Sequence, residues 1–268
     1  MNRMLTLTPI RHEAVGAAGD PRAARPGPGV AERARGVRVP TRDRITYQLA
    51  SLLLEYPTEE LVDRVPMLRE AATAGGWRAN RVNRPVLPLL DRLATGPLSG
   101  LQAEYVETFD LRRRCCLHLT YYAYGDTRRR GAALLRLKQA YAAAGGRLAG
   151  DELPDHLSVL LEFAATVDPA VGRVLLLDHR AGIELLRISL TERRSPYAGV
   201  VEAVLATLPR LTGDGKDVVA RLIAEGPPDE EVGFEAMASG SHPWVPAPED
   251  GMPGIGATPR GGAAETRS

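Results

Sequence analysis

The sequence predicts an all-α protein, a single-domain helical bundle with a flexible arm at each end. Three observations predict it. Apolar residues recur at i, i+3 and i+4 through residues 41–225. Cap and stop residues punctuate that stretch at helical lengths. Runs of alternating β-branched residues, the mark of strands, are absent.

In chain order, Thr41 caps a helix with Ile45, Leu49, Leu52, Leu53 and Tyr56 on one face, and Pro57 stops it. Thr58 is the next N-cap, with Glu59 and Glu60 in a first turn whose dipole favours anions. Leu61, Val65 and Leu68 continue that face, and Pro66 kinks or splits the helix. A short helix near 85–95 precedes one at 98–109, where Leu98, Leu101, Tyr105 and Phe109 form one stripe. The apolar stretch Cys115–Tyr124 follows. Asp126 or Thr127 then opens a helix through Leu134, Leu135, Leu137 and Tyr141, ended by Gly145-Gly146. Pro154 sits early in a helix containing Leu157, Leu160, Leu161 and Phe163. Asp168-Pro169, a cap followed by proline at the first helical position, opens the longest helix, to about Arg193. Ser195-Pro196 repeats that start signal before Val200, Val201, Val204 and Leu208, and a last helix covers about 216–225.

Composition divides the chain in three. Residues 1–40 hold seven Arg against three acids, with five Pro and five Gly and no helical period. Residues 226–268 hold seven acids against two Arg, with seven Pro and eight Gly. Both read as flexible arms, one basic and one acidic, that bury little and are dispensable for stability. Between them, 41–225 is long enough to bury a real core.

The 268 residues carry a net charge of +1, which argues against a dedicated nucleic-acid binder. No apolar run is long enough to span a bilayer, and no secretory h-region is visible. The cytoplasm is therefore the expected compartment. A phosphate loop is missing, because the Gly215-Lys216 pair is followed by Asp217. The five histidines are scattered, with no His-x3-His and no Cys-x2-Cys, so neither a zinc nor a haem site is expected. No serine sits in a nucleophile elbow. Catalytic apparatus is not visible, and the chain is expected not to be an enzyme or to hold a cofactor tightly.

Four features remain. Cys115 and Cys116 are adjacent, and successive helical positions point about 100° apart, which favours one packed thiol with the other nearby over a redox pair. The triplets Arg112–Arg114 and Arg128–Arg130 are either solvated or a patch for phosphate or an acidic partner. Glu104, Glu107 and Asp110 lie at helical spacing beside Tyr105 and Phe109; this is either a solvated face or a strip that receives a basic amphipathic peptide. His156, between Asp155 and Leu157, either titrates and hinges a loop or is a satisfied capping histidine. Pro154 disfavours helix at Leu153, and Asp155 is expected in the first turn of the following helix, complementing its exposed N–H groups.

Five motifs then carry a resemblance: Leu53-Leu54-Glu55-Tyr56-Pro57, Glu104-Tyr105-Val106-Glu107-Thr108-Phe109-Asp110, Tyr124-Gly125-Asp126-Thr127-Arg128-Arg129-Arg130-Gly131, Glu152-Leu153-Pro154-Asp155-His156-Leu157 and Glu192-Arg193-Arg194-Ser195-Pro196-Tyr197. In order and spacing, over about residues 45–210, the chain resembles the NarJ family. These are the molybdenum cofactor assembly chaperones (delta subunits) of respiratory nitrate reductase, within the TorD/DmsD/NarJ group of redox-enzyme maturation proteins. Many members read His-Gly-Asp/Glu-Ser-Arg-Asp-Arg-Gly where this chain has Tyr124–Gly131, so Arg129 reverses a charge. The resemblance implies a TorD/NarJ-like bundle over 41–225 that binds the apo catalytic (alpha) subunit, mainly through its N-terminal segment. It would delay membrane docking while the molybdenum cofactor is inserted, meet the insertion machinery, and leave the finished enzyme. Client-facing residues are then Glu104, Tyr105, Glu107, Phe109, Asp110, Tyr121, Tyr122, Asp126 and Arg128, with Pro154, Asp155, His156 and Leu157 as a hinge. The alternatives are a helical ligand-binding or regulatory module and a chaperone for another molybdoenzyme.

Overall fold

The computed structural model describes residues 28–74, 81–148, 152–211 and 213–225, and among these every regular element is helical. The helices are α1 (Pro28–Ala34), α2 (Thr41–Leu53), α3 (Glu59–Asp63), α4 (Val65–Thr73), α5 (Leu87–Thr95), α6 (Leu98–Tyr105), α7 (Leu119–Tyr124), α8 (Arg128–Ala143), α9 (Leu157–Thr166), α10 (Pro169–Asp178), α11 (Arg180–Glu192), α12 (Ala198–Thr207) and α13 (Asp214–Glu225). Short 3-10 turns at Arg84–Val86 and Arg113–Cys115 and a π turn at Val106–Asp110 join them.

The core is built around α2 and α9. Tyr47, Leu49, Leu53, Leu157, Leu160 and Leu161 are all fully buried. Each such leucine contributes roughly 1.5–3 kcal/mol by leaving water. Besides α9, α12 and α4 pack on α2; α10 lies on α9, and α11 on α12 and α13. One polar network crosses this core. Arg173 of α10 reaches Asp43 at 3.4 Å and the Tyr47 hydroxyl at 3.5 Å, and the Thr207 hydroxyl donates to Tyr47 at 3.0 Å.

Two helix-start signals fall where the sequence places them, and one does not. Thr58 accepts from the Leu61 N–H at 3.2 Å, and Arg64 separates α3 from α4, with Pro66 in the first turn of the second helix. Asp168 accepts from Ala170 and Val171 at 3.0 and 2.9 Å ahead of Pro169. Pro40, not Thr41, is the N-cap of α2; its carbonyl accepts from Asp43 and Arg44.

Three further expectations are corrected. The helix expected to run from Asp168 to Arg193 breaks at His179 (φ −101°, ψ 11°). The two halves then follow different neighbours, α10 on α9 and α11 on α12. Next, α9 begins at Leu157, and Pro154 and Asp155 form the turn before it.

The third correction concerns the basic arm. Residues 1–27 and 226–268 lie outside the described residues, but 28–40 is no free arm. Helix α1 packs on α10, buries Ala34, and sends Arg33 onto Asp178 through two bonds of 2.6 and 2.7 Å. Removing residues 1–40 is therefore expected to cost roughly 2 kcal/mol, a fall of about 4–8 °C in melting temperature. Removing only 1–27 retains α1 and serves as the comparison. Equal melting of the two shortened chains would reduce α1 to a passive appendage.

Candidate functional site

The five sequence motifs gather into two clusters. The first joins the end of α2, the α6–π segment and the start of α12. Tyr105 donates its hydroxyl to the Leu54 carbonyl at 3.0 Å. Its ring meets Phe109 at 4.8 Å between centroids, Tyr56 edge-on at 5.5 Å and Tyr197 at 6.0 Å, and Phe109 meets Tyr197 at 4.9 Å. Such edge-to-face pairs add about 0.5–1.5 kcal/mol each beyond burial. Burial raises the Tyr105 phenol, with Tyr197, Asp110 and Glu55 adding to the effect, so it remains a neutral donor. Tyr56 is 45% exposed and forms the solvent edge of the cluster.

The π turn decides what the acids do. The Leu111 N–H donates five residues back to Val106 at 3.2 Å, so the helix widens by one residue after Tyr105. Leu111, just beyond, is 73% exposed. Two of the three acids are held within the chain: Glu104 accepts from Arg92 at 3.0 Å and Glu107 from Arg112 at 3.0 Å. Asp110 is exposed. The strip is thus an acid–base lattice with exposed apolar points, Tyr56 and Leu111, on its own segments.

The second cluster is the joint between α7 and α9. Residues 117–119 and 155–157 form one antiparallel bridge, with Leu119 donating to the Asp155 carbonyl and Leu157 to the Leu117 carbonyl, both at 2.9 Å. Asp155 is fully buried, and its carboxylate serves α7 rather than the helix that follows it. The Thr120 N–H donates to Oδ2 at 3.3 Å and the Thr120 hydroxyl donates to the same oxygen. His118 Nδ1 lies 3.1 Å from Oδ1 and Arg130 lies 3.7 Å from Oδ2. An ionised carboxylate only accepts, so His118 Nδ1 carries the proton. Burial opposes ionisation of Asp155, but hydrogen bonds from His118 and Thr120, with the charges of His118 and Arg130, outweigh it and hold the carboxyl below its ordinary value. The expected first-turn position of Asp155 is therefore corrected: it caps a helix 35 residues away in sequence.

The other hinge residues complete the joint. Tyr141 donates to the Pro154 carbonyl at 2.7 Å, His156 Nδ1 lies 2.7 Å from the Ser158 hydroxyl, and the His118 and His156 rings stand edge-to-face at 5.2 Å. Leu157 is wholly in the core. Gly125 ends α7 at φ 56° and ψ −147°, a conformation essentially reserved for glycine, and so turns the chain towards α8.

Several residues expected to face a client are buried instead. Tyr105, Phe109, Tyr121 and Tyr122 are between 1% and 8% exposed, so they shape the walls of the clusters rather than present a surface. The Tyr122 hydroxyl lies 2.8 Å from the Cys116 carbonyl and 3.1 Å from that of Arg114, which fixes the 113–116 turn. Asp126 is exposed and pairs with Arg130 at 3.2 Å; Arg128 is exposed. Tyr197, His118, Thr120 and Arg130 were not among the expected site residues. Tyr197 and Arg130 stand inside quoted motifs, whereas nothing in the sequence ties His118 and Thr120 to Asp155. Of the cysteines, Cys115 is buried and Cys116 partly so, and burial raises both thiols, which leaves neither activated. Among the described residues no group of three or more His, Cys, Asp or Glu is placed to hold a metal, and no helix is long and apolar enough to cross a membrane.

Comparison with known proteins gives a consistent result. Residues 78–202 match the family model described as nitrate reductase delta subunit. The chain is 41% identical over 168 residues to the nitrate reductase-like protein NarX of Mycobacterium tuberculosis, covering 61% of this chain and 24% of NarX. It thus spans about a quarter of that relative. It is 32% identical to the "Probable nitrate reductase molybdenum cofactor assembly chaperone NarJ" of Bacillus subtilis, covering 63% of this chain and 91% of that protein. With the nitrate reductase molybdenum cofactor assembly chaperone NarJ of Escherichia coli it shares 31% identity, over 68% of this chain and 76% of the relative.

Proposed function

Because the chain belongs to the NarJ family of nitrate reductase molybdenum cofactor assembly chaperones, we propose that it matures a respiratory nitrate reductase by holding its apo catalytic subunit. It acts by binding, not by catalysis. The contact is mainly with the N-terminal segment of that subunit, which is kept from its membrane partner in the cytoplasm while the molybdenum cofactor is inserted. The cofactor is cargo of the client, and the chaperone leaves the finished enzyme. The observation that carries this reading is the alignment, at 32% identity, along 91% of the Bacillus NarJ.

The client surface we propose is the exposed edge of the first cluster: Tyr56, Glu107, Asp110 and Leu111. An amphipathic basic helix would lay apolar residues on Tyr56 and Leu111 and exchange its cations for Arg112 at Glu107. Such charge exchange favours release as well as capture, since rim charges set association rate and salt dependence more than residence time. Buried Tyr105, Phe109 and Tyr197 hold this edge rigid from beneath.

Glu107→Lys tests the surface. Glu107 is 68% exposed and its pair with Arg112 is worth about 0–1 kcal/mol, so the melting temperature should barely change. Affinity for a peptide copying the client's N-terminal segment should fall about three- to tenfold in a calorimetric titration at low salt, and the gap should close at high salt. Unchanged affinity at every salt concentration would move the client elsewhere. Failure of the full chain to retain the apo catalytic subunit in a pull-down would overturn the function itself.

A further inference from the structure

Away from both clusters, a cavity of about 330 Å³ lies between α11, the Arg210–Leu211 segment and α13. Three cations line it, Arg180, Arg210 and Lys216, with Ile188 and Val219 supplying apolar wall. Among the described lining residues the acid is Glu184, and it is engaged by Arg187 of the same helix at 2.6 and 2.9 Å, so its charge is already answered. Arg210 and Lys216 are exposed and have no ion pair among the described residues.

Arg180 is the unusual member. It is only 9% exposed, and one Nη1 donates to the Leu205 carbonyl at 3.1 Å. Its buried Nε–H has no hydrogen-bond partner among the described residues. Burial lowers the Arg180 pKa; Glu184 opposes this and Arg187 adds to it. A nine-tenths buried guanidinium in the wall of a space lined by two further cations, whose described acid is already paired, favours an anion there.

We propose that this cavity binds the phosphate of a small molecule, with Arg180, Arg210 and Lys216 as its ligands. Guanidinium N–H groups match phosphate oxygens in spacing and plane, and a flexible ammonium completes the charge. The volume exceeds that of a phosphate and falls in the range of ligand pockets, so an attached organic group has room against Ile188 and Val219. The site is independent of the client surface and needs no change in it.

The test is calorimetric titration of the full chain with inorganic pyrophosphate, ADP and adenosine in turn. Saturable binding of pyrophosphate or ADP at one site is expected. The double variant Arg210→Gln, Lys216→Gln should weaken it by at least about tenfold without altering the melting temperature, since both side chains are exposed. A charge-matched double variant on α8, Arg136→Gln with Lys138→Gln, should leave it unchanged. Preference for ADP identifies a phosphate ester as the source and equal affinity identifies the free anion; either supports the site. Absence of saturable binding, an equal loss in the α8 variant, or binding of adenosine without phosphate would overturn the proposal.

Discussion

Replacing Asp155 by alanine is expected to lower stability by about 3–5 kcal/mol, the cost of removing one member of a buried charged network. The variant strands the Thr120 N–H and hydroxyl, the His118 Nδ1–H and part of the Arg130 charge at a fully buried position. A simple N-cap is worth only about 0.5–2 kcal/mol, so denaturant unfolding of the variant separates the two roles. The effect also has a pH signature. The folded Asp155 carboxyl lies below its ordinary value, so its contribution is complete above the unfolded value of about 3.9 and is lost as pH falls through the folded one. Asp43 works in the opposite sense, because burial raises it against the pull of Arg173 and Arg42. The measurement is therefore the difference between wild type and variant, which should shrink as the solution is acidified. A constant difference down to the acid transition would show that Asp155 does not act through its charge.

The second large effect is steric. Gly199, in the first turn of α12, lies so close to the 3-10 turn at Arg84–Val86 that a Cβ there would stand 1.8 Å from the Pro85 carbonyl oxygen. Backbone cannot rotate aside as a side chain can, so Gly199→Ala must push α12 off the turn. The expected cost is about 3 kcal/mol, a drop of roughly 6–12 °C in melting temperature. Tyr197 lies two residues earlier, so the same shift should loosen its contacts with Tyr105 and Phe109 and change the near-ultraviolet circular dichroism of the tyrosines. A variant that melts with the wild type would mean that the turn and α12 separate without penalty.

What was legible in the sequence was local. Thr58 and Asp168-Pro169 act through their own backbone or the next three residues, and each marks a helix start where expected, whereas α2 ends at Leu53, before Tyr56 and short of the expected stop at Pro57. Tyr105 and Phe109 were legible as one stripe, but amphipathic spacing does not say whether a stripe flanked by acids meets water or core. Here the tyrosine of a distant motif, Tyr197, closes over them. The π turn is not legible in the sequence, because its bond spans five residues and carries no residue signature. The break at His179 follows from two sets of neighbours, not from any breaker residue. Helix α1 was hidden by its own brevity, seven residues among glycines and prolines, and is held by a partner far along the chain, Asp178. Asp155 reads in the sequence as serving its own helix, as a capping carboxylate normally does, and no local signal points to its actual partner Thr120.

The bridge between 117–119 and 155–157 also makes α8 and its flanking turns a ring closed at the neck. Once the neck is tied, the length of the excursion matters little to the rest of the chain: doubling such a loop costs only about 0.6 kcal/mol in closure entropy. Outside the neck, α8 is anchored chiefly through Leu137, Ala140 and Tyr141, and Tyr141 reaches back to the neck itself through Pro154. One residue inserted between Leu117 and Leu119 would therefore throw the neck out of register and release the whole ring.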